Sequence, residues 1–188
     1  PYFVYAGTAS EWQGAGVFVQ ALEKARRTHP TAQILYLGQG SDWERIGDLA
    51  RRLPVGPDGL PGVVMHGLLP AQEAARWQRG AVASLVSIIP GQGYDFAYPT
   101  KVLAALGCGV PVVYAGTGPV VADVEREHLG WAASYDVDAV ARAMVAALEA
   151  PDDPGRAARL SCWVLDNRSL KATGEAVARH LRTVVRGA

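Results

Sequence analysis

Apolar positions in this chain form short continuous runs, separated by stretches whose apolar residues recur at helical spacing. The runs Tyr2 to Ala6, Gln33 to Gly38, Gly62 to His66, Ala83 to Ile89, Val110 to Tyr114 and Trp131 to Ser134 read as strands. The amphipathic stretches between them, Ala15 to Thr28, Asp42 to Leu53, Ala71 to Arg79, Thr100 to Leu106 and Pro119 to Glu127, read as helices. A strand-then-helix order with short Gly- and Pro-marked connections predicts an α/β fold. Its sheet is parallel, of about six strands, with helices on both faces and ligands outside the carboxyl ends of the strands. The loops after Ala6, Gly38, His66 and Ile89 are then expected to converge at one edge. Three more helices follow, Asp136 to Glu149, Gly155 to Asp166 and Leu170 to Val185. The break at Pro151 to Pro154 divides a sheet domain, residues 1–150, from a C-terminal helical tail of the same domain, residues 151–188. No second core and no repeat of solenoid period is visible.

Composition narrows the chemistry. At 188 residues, 49% hydrophobic and 19% charged, the chain suits one globular domain. Lys plus Arg equals Asp plus Glu at 18 each, so no global positive field draws in nucleic acid or an anionic membrane. Any bound anion must be held locally. Cys108 and Cys162 match no metal or redox spacing and read as buried free thiols of a reducing, cytoplasmic compartment. No apolar run reaches transmembrane length, and the start, PYFVYAG, has neither a charged leader nor a Met. A core strand beginning at residue two predicts a chain cut from a longer one.

The densest stretch is YPTKVLAALGCGVPVV, Tyr98 to Val113. Pro99 suits the first helical position, where a missing N–H costs nothing. The amides of Thr100 and Lys101 then point out of the helix start, at the positive end of its dipole and beside an ammonium. That is an anion site. The helix stops at Gly107, Cys108 and Gly109, and Val110 to Tyr114 reads as a buried apolar strand.

The pattern P-x-K-x-x-x-x-x-G-x-G-x-P-V-V resembles the donor-binding, C-terminal half of GT-B glycosyltransferases, particularly the group 1 enzymes of family 4. The likeness runs along nearly the whole chain. FVYAGTASEWQGAGVFVQAL resembles the family's first strand, glycine turn and helix, and ILYLGQGSDWERI its second strand with a G-x-G turn. VVMHGLLPAQEAARW resembles the segment where a nucleobase docks, and GTGPVVADVEREHLGWAASYDVDAVARAM the closing part. The resemblance implies a Rossmann-like sheet that holds a nucleotide-diphosphate-sugar as donor substrate. Lys101 would contact phosphate and Asp95 a donor-sugar hydroxyl, an alternative for Asp95 being a turn residue that caps the loop Gly91 to Ala97. Gly7, Thr8 and Gly14 would meet phosphate or sugar, and His66, Gly67 and Leu69 the base, with Tyr98, Pro99 and Thr100 completing the site.

The chain departs from the family at several positions. The Arg and Lys that usually follow the first strand are matched by Thr8 and Gln13, both neutral. The glutamate that clasps both ribose hydroxyls falls at Ala104, and its partner glutamate eight residues upstream falls at Phe96, one residue off Asp95. Charge-assisted bonds to a vicinal diol are worth about 1.5–3 kcal/mol each, so backbone amides must carry more of the load.

Other motifs fall away. Asp136-Val137-Asp138 spells a metal-holding D-x-D, yet it opens an amphipathic run and reads as a helix cap. His29, His66, His128 and His180 have no zinc spacing, so no metal site is expected. Gly38-Gln39-Gly40 lacks the third glycine of a dinucleotide fingerprint. By resemblance the chain is expected to be the donor half of a hexosyltransferase-type enzyme, retaining and metal-independent, inactive without an N-terminal GT-B domain. The alternative is a noncatalytic nucleotide- or sugar-binding module of the same fold.

Overall fold

In a computed structural model that describes residues 1–186, strands and helices alternate as β1 (Tyr2–Ala6), α1 (Gly16–Ala25), β2 (Gln33–Leu37), α2 (Trp43–Arg51), β3 (Val63–His66), α3 (Ala71–Arg79), β4 (Ser84–Ser87), α4 (Thr100–Gly107), β5 (Val112–Ala115), α5 (Pro119–Arg126) and β6 (Gly130–Ala133). Three helices complete the chain, α6 (Val137–Leu148), α7 (Arg156–Arg168) and α8 (Leu170–Arg186). The six strands lie in the order β3-β2-β1-β4-β5-β6, and every pairing is parallel. Chain order reverses between β1 and β4. In open sheets of this kind a crevice forms at that reversal, outside the strand ends.

Side-chain alternation divides the core between the two faces. Phe3, Tyr5, Ile34 and Tyr36 point to one face, where α1, α2 and α6 cover them with Phe18, Leu22, Ile46 and Met144. Val86, Val112 and Tyr114 point to the other, under Val102 and Leu106 of α4, Val120 and Val124 of α5, and Leu160 of α7. Each large aliphatic side chain buried this way contributes about 1.5–3 kcal/mol. At the β3 edge Val64 and His66 are exposed, so the cover thins there.

The predicted elements are present with boundaries moved by a few residues. Val110 to Tyr114 becomes Val112–Ala115, because Pro111 has no N–H for the ladder and only its carbonyl is used, by Ser84. Pro99 is corrected from first helical residue to N-cap. Its ψ of 128° is extended, and its carbonyl accepts from Val102 N at 3.0 Å. The reading of both thiols as buried is also corrected: Cys162 is exposed on the outward side of α7, and Cys108 is partly exposed after α4. Asp136 caps α6 by accepting from Ala139 N at 2.9 Å, and Asp138 in its first turn pairs with Lys24 of α1. No described helix is long and apolar enough to cross a membrane.

Backbone contacts knit the loops at the carboxyl edge. Gly7 N donates to Leu37 O at 2.7 Å, Gly38 N to His66 O at 3.1 Å, and Ala9 N to Gln39 O at 2.8 Å. Ile89 N donates to Trp12 O at 3.0 Å, joining the loops after β4 and β1. The loops after β1, β2, β3 and β4 therefore lie at one edge. The approach at Gly38 is so close that a Cβ would stand 2.2 Å from Gly7 O, and its φ of +149° disfavours a side chain anyway. Gly38→Ala should destabilise the domain by at least about 1–3 kcal/mol, the cost of a strained backbone residue, before the clash is added. Urea unfolding checks this; an unchanged midpoint would mean that the two loops separate freely.

Candidate functional site

At the reversal point the sheet is held together narrowly. β1 and β4 share one ladder pair, Val4 with Ser84, whereas β1 and β2 share five. Beyond that pair the loops, not the ladder, bridge the strands. Ser87 Oγ donates to Gln13 O at 2.6 Å, and Ile89 to Trp12 as above. Gln13 ends a short 3-10 turn, Glu11–Gln13, and is buried. Its amide oxygen accepts from Ser10 N at 3.0 Å and from Tyr5 Oη at 3.4 Å.

Two tyrosines fix the start of α1 from below and from the side. Tyr36 Oη donates to Ala15 O at 2.8 Å, and Tyr135 Oη, from the loop after β6, donates to Gly14 O at 2.7 Å. Carbonyl and following N–H point oppositely in a trans peptide, so these bonds aim the Ala15 and Gly16 amides the other way, out of the helix start. Burial holds both phenols in the neutral, donating form.

Lys101 reaches the beginning of the loop after β1 from the first turn of α4. A Cβ at Gly7 would lie 3.1 Å from Lys101 Cε, so the lysine stem crosses the open backbone of Gly7, where φ is +118°. Its ammonium sits 5.4 Å from the centroid of the Tyr5 ring and has no carboxylate partner among the described residues. Desolvation brings its pKa down from 10.5 to about 8. The lysine thus keeps most of its charge at neutral pH with only a π face beside it.

The remaining sequence-derived residues divide into those around Lys101 and those elsewhere. Gly7 lies beside the lysine stem, Pro99 and Thr100 begin its helix, and Thr8 and Gly14 lie further along the loop after β1, with Thr8 and Thr100 exposed. His66, Gly67 and Leu69 lie at the same sheet edge after β3, the first two exposed. Asp95 is already engaged: its carboxylate accepts from Gly91 N at 3.0 Å and from Thr117 Oγ1 at 3.0 Å. This is the geometry of a residue that caps the loop Gly91 to Ala97.

The Tyr98 ring packs on the core face of α4 and α5, with the Arg168 guanidinium 4.6 Å from its centroid. Burial first, and the Asp123 carboxylate second, raise its pKa to about 12. Tyr98 serves packing through its side chain. Sequence reasoning missed Trp12, Tyr135 and Arg168. A signal existed for Trp12, which adjoins the Gln13-Gly14 turn, but none for the two that arrive from distant elements. Among the described residues no group of three or more His, Cys, Asp or Glu is placed to hold a metal ion.

No curated protein sequence matches the chain. Solved structures do. Sucrose-phosphate synthase from Thermosynechococcus elongatus superposes with a TM-score of 0.73 at 21% identity, over 100% of this chain and 46% of that one. HepE from Anabaena, in complex with UDP, gives 0.74 at 16% identity, over 97% of this chain and 48% of that one. The N-terminal domain of trehalose-6-phosphate phosphatase from Candida albicans gives 0.73 at 15% identity, over 96% and 41%. The chain thus spans less than half the length of each, and these likenesses establish the fold. The family model for group 1 glycosyl transferases matches residues 1–150, all six strands and α1 to α6. With that match over most of its length, the chain belongs to the group 1 glycosyl transferases.

Proposed function

We propose that the chain is the donor-binding half of an enzyme that moves a sugar from a nucleotide diphosphate to a hydroxyl acceptor. An N-terminal GT-B domain would supply the acceptor contacts and close the cleft, and without it this half is inactive. The observation that carries the reading is Lys101, a partly desolvated ammonium at a helix start with no carboxylate beside it. Positive charge at that end of a helix is unfavourable by itself, and a diphosphate there removes both penalties. As the sugar leaves, charge develops on the β-phosphate, and Lys101 with the outward amides of Thr100, Ala15 and Gly16 stands fixed to receive it. Retention of configuration and independence of metal follow from the resemblance to family 4, as does base recognition by the backbone near His66, Gly67 and Leu69. A cytoplasmic location belongs to the same reading.

A second reading has its own support. Gln13 spends its amide oxygen within the loop, Asp95 is engaged in its turn, and Thr8 and Ala104 bring no charge. A noncatalytic nucleotide-binding module would look the same. Turnover of nucleotide sugars by the two-domain protein separates the readings: sugar transfer or slow donor hydrolysis supports the enzyme, and tight binding without either supports the module.

Lys101→Ala should weaken the affinity for nucleoside diphosphates by about 1–3 kcal/mol, the range for losing a bond to a charged group. Ala104 is exposed on α4, so Ala104→Glu adds a carboxylate without invading the core and should leave affinity equal or tighter. Calorimetric titration with UDP and GDP at fixed salt measures both. If Lys101→Ala binds like the parent, the anion site is misplaced.

The depressed pKa of Lys101 gives the pH dependence its sign. Between about 8 and 10.5 the unfolded chain holds a proton on this lysine that the folded chain has lost, so stability rises with pH across that window. Below about 8 the penalty is present in full. Lys101→Met should therefore raise the melting temperature of the ligand-free protein at neutral pH and remove this rise, while diphosphate affinity of the parent falls as pH climbs through about 8. Melting curves and titrations from pH 6 to pH 10 check the pair.

A further inference from the structure

The open edge of the sheet at β3 offers backbone groups that the rest of the chain does not use. Ile34 N donates to Gly62 O and Gly38 N donates to His66 O, so the even-numbered residues of this strand turn their backbone toward β2. Val63 and Met65, lying between, turn theirs outward. β3 ends the sheet, and among the described residues no backbone bond meets the N–H or C=O of either residue. Edge strands are commonly guarded by charges, prolines or bulges, yet Val63 to His66 contains no Asp, Glu, Lys, Arg or Pro and keeps an unbroken register with β2. Val64 is 39% exposed on this bare edge.

The helix beside the edge indicates the partner. Glu44, Gly47, Asp48 and Arg51 of α2 line a hollow with Trp43 and Met65, so one stripe of this helix flanks the open strand. The stripe is acidic at its start, basic at its end and bare in the middle, where a Cβ at Gly47 would meet only the Arg51 guanidinium, at 3.4 Å. Glu44 and Arg51 are both exposed, and Arg51 pairs with Asp48 within the helix. Laid beside its own reverse, the stripe sets Arg51 opposite Glu44 at both ends. A surface of one charge sign would match only one end of it. Charges that complement their own reversed order fit a second copy of the chain across a two-fold axis.

We propose that two copies of the chain join edge to edge through antiparallel β3 strands, continuing one sheet into the next. The outward N–H and C=O groups of Val63 and Met65 then bond to those of the second copy, and Val64 packs against the partner strand. A two-fold axis perpendicular to the sheet leaves both α2 helices on one face, side by side and antiparallel, with Gly47 allowing their approach and Arg51 facing Glu44. The inference goes beyond the donor-binding reading and does not rest on it. β2 stands between the joined edge and the crevice at β1 and β4, so each copy keeps its crevice open.

Sedimentation equilibrium of the chain as it stands, across the micromolar to millimolar range, should show monomer and dimer in exchange and nothing larger, because a two-fold contact closes on itself. Val64→Lys sets a charge on the edge and should raise the dissociation constant about tenfold. Arg51→Glu and Glu44→Arg should each raise it about three- to tenfold, and the double variant should recover most of the loss, with all three effects shrinking at high salt. The substituted side chains are exposed, so circular dichroism of each variant should match the parent. Amide exchange in the parent needs no variant: as concentration rises, the amides of Val63 and Met65 should slow, while those of Val64 and His66, already bonded to β2, should change little. A monomer throughout the range overturns the proposal. So does a dimer that Val64→Lys leaves intact, a double charge reversal that recovers nothing, or exchange at Val63 and Met65 that ignores concentration.

Discussion

The single ladder pair between β1 and β4 is the constraint on which the rest depends. A parallel strand needs a crossover before it can return, and when the crossover changes sides of the sheet, the two central strands have nothing covering their carboxyl ends. Here the strands part after Val4 and Ser84, and everything later in the two loops compensates for that parting. Ser87 reaches Gln13, Ile89 reaches Trp12, and Trp12 stacks on Tyr94. The same parting lets Lys101 lie across Gly7. A longer ladder would fill the crevice with backbone, and a side chain at Gly7 would press on the lysine stem.

Lys101 sets function against stability at one atom. Burial against the Tyr5 ring offers it less than water does, and no carboxylate restores the balance among the described residues. An acidic neighbour would relieve the lysine in the empty protein, but would then repel a diphosphate. In the donor-binding reading, leaving the ammonium uncompensated keeps its charge for the diphosphate. The neutral Thr8 and Gln13 fit that arrangement, because a second and third cation in the same crevice would add like-charge repulsion to a lysine already short of solvent. What they supply is geometry: Gln13 holds the turn through Ser10 and Tyr5, and the turn aims amides.

Much of this was legible from local pattern. Every predicted strand and helix exists because its signal is local: apolar runs of four to seven residues, Gly and Pro at the joints, and an Asp at the start of α6. The helix start at Lys101 was legible for the same reason. What escaped depends on residues far apart in sequence. Nothing near Tyr135 says that its hydroxyl will meet Gly14, 121 positions earlier, and nothing near Trp12 names Tyr94 as its partner. Pro99 stands one position before the first helical residue, with an extended ψ that its local sequence does not dictate. Exposure of Cys162 likewise depends on which side of α7 finds α4.

The tail extends this logic past the segment that the family model matches. Residue 150 closes that segment, yet α7 packs on α4 through Leu160 and Trp163, and Arg168 at its end reaches Asp123 of α5. Asp123 is nearly buried and also pairs with Arg126, so its charge is balanced from two helices. The Arg168 guanidinium lies over the Tyr98 ring, three residues before Lys101. A planar cation that stacks on a ring and pairs with a buried carboxylate fixes both in place more firmly than a lysine would. The start of α4 is therefore held from two sides, by Gly7 and Tyr5 at the crevice and by α7 behind it. In the donor-binding reading the amides at this helix start work only while they stay aimed, and the helical tail supplies part of the aim.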